Sequence, residues 1–186
     1  MTISQAQMAA LHDKQCLYEN MMQYCRGADR LDIDLIKSTY WPDSFDDHGS
    51  YVGDGHGWAD AIFDYRGRLH SCNHHVTNVL SEIEGNRAKR ESMFLGVAVF
   101  TEPDVTFFHG GRYRDLCEKR DGEWKVLRRT CIWDWSDVRK TAPNWDISGV
   151  PYMSNWGLRS AEDPIYKDWF DSPPTARPAF HHAAHE

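Results

Sequence analysis

The hydrophobic period of this chain changes once, near Gly67, and that change limits the fold more than any other feature. Before it, Leu17, Met21, Tyr24 or Cys25, and Ala28 recur at three- and four-residue steps, which predicts a helix with one apolar face. After it, segments 73–83, 87–100, 107–119 and 123–135 read as four strands. They are separated by Gly85-Asn86, a segment around Pro103, and Asp121-Gly122, a strong hairpin signal. Helices first and a meander after them predict an α+β fold with a curved antiparallel sheet. A twisted sheet curling over amphipathic helices leaves a cavity between the two layers.

The first helix ends at Asp29, where the negative carbonyl end of the helix dipole disfavours a carboxylate, so a cation or donor is expected beside it. Asp32 can cap a short second helix carrying Ile33, Ile36 and Tyr40 inward and ending before Pro42. Residues 43–54 read as a short strand and a Gly-rich turn, and 57–65 as a third helix with Trp58, Ile62 and Tyr65 in phase. From Ser136 the text becomes Pro- and Trp-rich without a clear period, so the chain divides into a domain at 1–135 and an irregular C-terminal arm at 136–186. Trp145, Trp156 and Trp169 are expected to cover something, either the pocket mouth or a neighbouring subunit, while His181, His182 and His185 sit in a solvated tail.

Composition removes several function classes. A net charge of −7 argues against partners recruited by electrostatics, such as nucleic acid or an anionic membrane. No apolar run approaches a spanning helix and the N-terminus carries no signal-peptide pattern, so the cytoplasm is the expected compartment. The five cysteines are odd in number and form no Cys-x-x-Cys pair, which fits neither a disulfide framework nor a zinc knuckle. Aromatic residues make up 13% of the chain, a surplus suited to an aromatic-lined pocket or a subunit interface.

Three segments carry candidate chemistry. They are Tyr24-Cys-Arg-Gly-Ala-Asp29, His74-His75-Val76-Thr77-Asn78-Val79-Leu80, and the run from Gly110 through Asp121-Gly122 and Trp124 to Arg129. In order and spacing they resemble the SnoaL-like branch of the nuclear-transport-factor-2-like superfamily, over roughly residues 10–135. That resemblance implies a cone-shaped α+β barrel and a cofactor-free enzyme with a His–Asp dyad. A carboxylate on one imidazole nitrogen fixes the ring's tautomer and stabilises the imidazolium, so the other nitrogen can move a proton. By this resemblance His74, which precedes Asn78 by four residues, is the histidine and Asp29 its partner. Strand alternation puts His74, Val76 and Asn78 on one face and His75 and Thr77 on the other.

The resemblance also implies that Tyr24 donates to a leaving hydroxyl, as a tyrosine does in the bile-acid dehydratases of the branch. Arg129 would hold the leaving group, as an arginine does in the dehydrochlorinases. His48 or Tyr51 falls where the scytalone dehydratases position a water, and Phe45, Asn78 and Trp133 complete the expected substrate-binding set. One departure is visible: segment 93–100 is apolar and lacks the second histidine or the acid found there in relatives.

The expected activity is a cofactor-independent lyase removing water or another small group from a hydroxylated, aromatic substrate, with a diarylpropane formaldehyde-lyase as a specific form. Alternatives are an isomerase of the same fold, or a non-catalytic small subunit of a ring-hydroxylating dioxygenase, which segment 111–134 also resembles. No nucleotide fingerprint, phosphate loop, nucleophile elbow or metal-ligand spacing appears, so neither cofactor nor metal is expected. The expected assembly is a homodimer or homotrimer.

Overall fold

The computed structural model describes residues 2–64, 68–141 and 157–166. Helix α1 (Gln5–Arg30) starts with a capping box in which Ser4 and Gln7 satisfy each other's backbone N–H groups. It buries Leu17, Met21, Tyr24, Cys25 and Ala28, the face read from the sequence. Gly27 lets α2 (Ile33–Ser38) approach closely, because a Cβ there would lie 2.7 Å from the Ile36 side chain. Asp32 caps α2 by accepting from the Leu35 N–H. Tyr40 is not in that helix. It opens strand β1 (Tyr40–Asp47), which a two-residue strand β2 (Val52–Gly53) follows before helix α3 (Gly55–Asp64). Tyr65, the arm tryptophans Trp145, Trp156 and Trp169, and the tail histidines lie outside the described residues.

Strands β3 (Leu69–Glu84), β4 (Arg87–Phe100), β5 (Val105–Arg120) and β6 (Glu123–Lys140) form the expected antiparallel meander. The β5–β6 turn has positive φ at both Asp121 and Gly122, as a tight hairpin requires. Two features depart from the sequence reading. The sheet is mixed, in the order β2-β1-β6-β5-β4-β3, because β1 adds to β6 in parallel. The barrel is also open, with β2 and β3 as its two edges. A parallel pairing needs a crossover, and the chain between β1 and β6 supplies one that no local pattern announces. Strand β6 runs five residues past the expected end at Trp135.

The core lies between the concave face of the sheet and α1–α3, and includes Leu17, Met21, Tyr24, Ile36, Tyr40, Phe94, Tyr113 and Val126. At its centre Asp115 accepts from two buried guanidiniums, those of Arg90 and Arg129. Arg90 also donates to Asn20 and to the Leu17 carbonyl, and Arg129 to the Tyr40 hydroxyl. Every charge in this triad is therefore hydrogen-bonded, the condition under which a buried ion network is tolerated. Among the described residues no helix is long and apolar enough to cross a membrane.

Candidate active site

A cavity of about 250 Å³ opens between α1, α3 and the concave sheet face. Asp29, at the last turn of α1, reaches His74 on β3: His74 Nδ1 lies 2.7 Å from Asp29 Oδ1, and the His74 backbone N–H donates to Oδ2 at 2.9 Å. Two bonds to one carboxylate fix both the ring and the strand. The compensation expected at the helix end is present too, since Arg159 donates to the carbonyls of Ala28 and Asp29. Burial opposes a charge on His74, but the Cys72 sulfur and Asp29 outweigh it and hold its pKa well above the ordinary imidazole value. His75 is exposed on the opposite face.

A second carboxylate-held histidine faces the same cavity. His48 contacts Asp46 through Nδ1, and its Nε2 lies 3.1 Å from the Tyr24 hydroxyl. Asp46 also accepts from the Tyr40 hydroxyl, and Trp58 Nε1–H donates to the Tyr24 oxygen while its ring stacks on His48 at 3.9 Å. Burial pushes the His48 pKa below its usual value, so the ring is neutral. With Nδ1–H aimed at Asp46, Nε2 must accept, and the Tyr24 proton is committed to His48. Tyr24 lines the cavity, as expected, but offers a lone pair rather than a proton.

Four sequence-based placements need correction. Arg129 is fully buried and does not line the cavity; its guanidinium is held by Asp115 and lies between the rings of Tyr24 (4.2 Å) and Tyr113 (4.4 Å). It supports the cavity floor instead of meeting a leaving group. Asn78 is exposed, because a bulge between Val76 and Val79 shifts the strand's alternation by one. Phe45 is exposed on β1, pointing away from the inward Ser44 and Asp46. Tyr51 packs on Trp58 and donates to the Asp54 carbonyl, outside the lining. His48 and Trp133 do line the cavity.

The structure adds residues that the sequence reading missed. A second strand histidine exists, on β5 rather than β4: His109 shares a row with Gly96 and His74, and its ring occupies the space above Gly96, where a Cβ would collide with it. Burial lowers its pKa to about 4, and its Nδ1 has no hydrogen-bond partner among the described residues. The signal available was a glycine opposite a histidine, visible only once register is known. Cys72, two residues before His74, lines the cavity as well, and with Asp29 and His74 it gathers ligand atoms within 4.8 Å of one another. This corrects the reading that no metal-ligand set exists. A thiol, an imidazole and a carboxylate are groups that zinc accepts, yet His74 Nδ1 and Asp29 already share a hydrogen bond here.

The sequence profile described as a SnoaL-like domain matches residues 9–130 of this chain. Among solved structures, a hexachlorocyclohexane dehydrochlorinase (LinA type 2) is 17% identical, with 77% of this chain and 99% of that one covered at a TM-score of 0.69. The type 3 enzyme of Novosphingobium barchaimii LL02 is 17% identical over 78% and 97%, with a TM-score of 0.66. A Novosphingobium aromaticivorans DSM 12444 protein provisionally assigned as a scytalone dehydratase is 18% identical over 69% and 88%, with a TM-score of 0.64. At these identities the likeness is one of fold. No curated protein sequence matches the chain.

Proposed function

The chain belongs to the SnoaL-like domain family, and from that premise we propose that it is a cofactor-independent lyase. It removes water or another small group from a hydroxylated aromatic substrate. The observation that carries this reading is the doubly bonded Asp29–His74 pair at the wall of an aromatic cavity. His74 starts as the imidazolium that Asp29 stabilises. Its proton goes to the departing hydroxyl, the carbon–oxygen bond breaks, and water leaves. The neutral imidazole then takes a proton from the adjacent carbon, whose electrons form the double bond, and His74 returns to its starting charge. One histidine serves as acid and then base, with the imidazole held in place throughout. The Tyr24 lone pair accepts from a second substrate hydroxyl, and Trp58, Phe107 and Trp133 exclude water from the intermediate. A diarylpropane formaldehyde-lyase is the specific form in which loss of hydroxyl drives a carbon–carbon cleavage.

The test is the pH dependence of kcat/KM on hydroxylated aromatic substrates. The acid form of His74 is required and its pKa is raised, so activity is expected to hold through neutral pH. It should fall only well above the ordinary imidazole value of 6.5. Activity that rises through the same range would defeat the acid-first order. Product mass separates elimination from an isomerisation by the same groups.

Two further outcomes are expected. Protein treated with a chelator and dialysed keeps full activity; activity restored only by zinc would transfer the chemistry to the Asp29–Cys72–His74 set. Leu80, Met93, Leu95 and Trp135 are large apolar residues exposed among the strands, and their cover in this reading is a second or third copy of the chain. Light scattering should therefore give a dimer or trimer of the 21.6 kDa chain, against a monomer if the reading fails.

A further inference from the structure

The charge of the cavity wall runs against the charge of the protein. The chain carries a net charge of −7. Yet the described residues lining the cavity include the cations Arg68 and Arg159 and the raised-pKa His74, beside the neutral rings of His48 and His109, and no aspartate or glutamate. The two nearby carboxylates stand behind histidines: Asp29 behind His74 and Asp46 behind His48.

Arg159 is the cation whose setting is most specific. It comes from outside the segment that matches the SnoaL-like profile, which ends at residue 130. Segment 157–166 is tied to the end of α1 by Arg30–Asp163 at 3.3 Å and by the Tyr166 hydroxyl donating to Asp32 at 3.0 Å. Arg26 lies over the Tyr166 ring. Asp163 is itself buried and accepts the backbone N–H groups of Leu158 and Ile165, which fixes the turn that presents Arg159. Arg159 Nε and Nη2 are spent on the carbonyls of Asp29 and Ala28. Its Nη1 is shielded from solvent and has no partner among the described residues. A buried cationic donor left unmatched is costly unless a ligand matches it. Among the described lining residues, the other fully buried side-chain polar atom without a partner is His109 Nδ1, on a ring that is itself more than nine-tenths buried.

We infer that the cavity takes an anionic aromatic substrate, a carboxylate that pairs with the Arg159 guanidinium, with the His109 ring hydrogen-bonding a second polar substituent. This names the substrate class of the active site and rests on the lyase reading for its chemistry. The arm residue Arg159 is then the specificity determinant that the family domain lacks. Because the guanidinium is anchored on the same helix end as Asp29, binding the carboxylate also sets its ring at a fixed distance from His74.

Binding can be measured without turnover, so the inference and the lyase chemistry fail separately. Benzoate and benzamide have the same shape and differ in charge; their affinities for the intact protein are read by titration calorimetry and by the fluorescence of Trp58 and Trp133. Benzoate is expected to bind about tenfold or more tightly than benzamide, the worth of a hydrogen bond to a charged group. Arg159→Gln should abolish that preference, and Arg159→Lys should keep part of it. Equal binding of the two probes by the unaltered protein, or binding of neither, overturns the inference whatever the variants do. A preference that survives in Arg159→Gln also overturns it, because the charge would then come from another lining cation, Arg68 or His74.

Discussion

His74→Ala and Asp29→Asn are each expected to lower turnover by about 10²-fold or more while the protein stays folded, as expected for removal of a positioned acid–base group. The two variants should fail for different reasons. Without His74 no group at that position can move the proton. In Asp29→Asn the ring remains and Cys72 still acts on it, but one of the two groups that raise its pKa is lost, so the imidazolium fraction falls and the decline in activity with pH should move toward 6.5. His75→Ala is the control, because His75 is exposed on the other face of β3. It should be nearly silent. Activity that depends on His75 but not His74 would mean that the inward face of β3 had been assigned wrongly.

Asp115→Asn should produce the largest loss of stability. The carboxylate is fully enclosed by Arg90 and Arg129, and although burial alone would raise its pKa, the two guanidiniums hold it below the usual carboxylate value. Neutralising it leaves two buried cations with no counter-charge, at a cost of roughly 3–5 kcal/mol for breaking such a network. Against a total of about 5–15 kcal/mol for a typical domain, that removes roughly a fifth of the stability at least, and all of it at the low end of the range. Urea unfolding followed by tryptophan fluorescence would read the shift. The sign with pH follows from the lowered pKa: the contribution is complete above the ordinary carboxylate value of 3.8 and is lost as pH falls through the folded-state pKa. An unfolding free energy within about 0.5 kcal/mol of the unaltered protein's, the range of ordinary surface substitutions, would contradict the account of the core.

Much of this architecture is legible in the text of the chain. The α1 face from Leu17 to Ala28 follows from three- and four-residue spacing, the Asp32 cap from residue type and position, and the β5–β6 turn from Asp121-Gly122. These succeed because each is decided within a few residues, by side-chain direction and backbone preference. The pairing of Asp29 with His74 is not local and came from family resemblance, yet its geometry depends on two local facts, a helix end and a strand face.

What the tertiary structure alone decided has a common physical origin in partners distant along the chain. Arg129 lies on the inward face of its strand, but only the arrival of Asp115 across the β5–β6 ladder makes it a buried strut rather than a pocket cation. One extra residue between Val76 and Val79 turns Asn78 outward, and hydrophobic alternation carries no warning of a bulge. His109 enters the cavity because Gly96 stands opposite it, and Arg159 enters because segment 157–166 docks on α1. The sequence by itself determined which elements form and which faces are apolar, since those depend on neighbours one to four residues away. Which polar side chains are consumed by the core and which are left facing the cavity was decided by strand register and docking, where each hydrogen-bond donor meets the one acceptor that folding brings within reach.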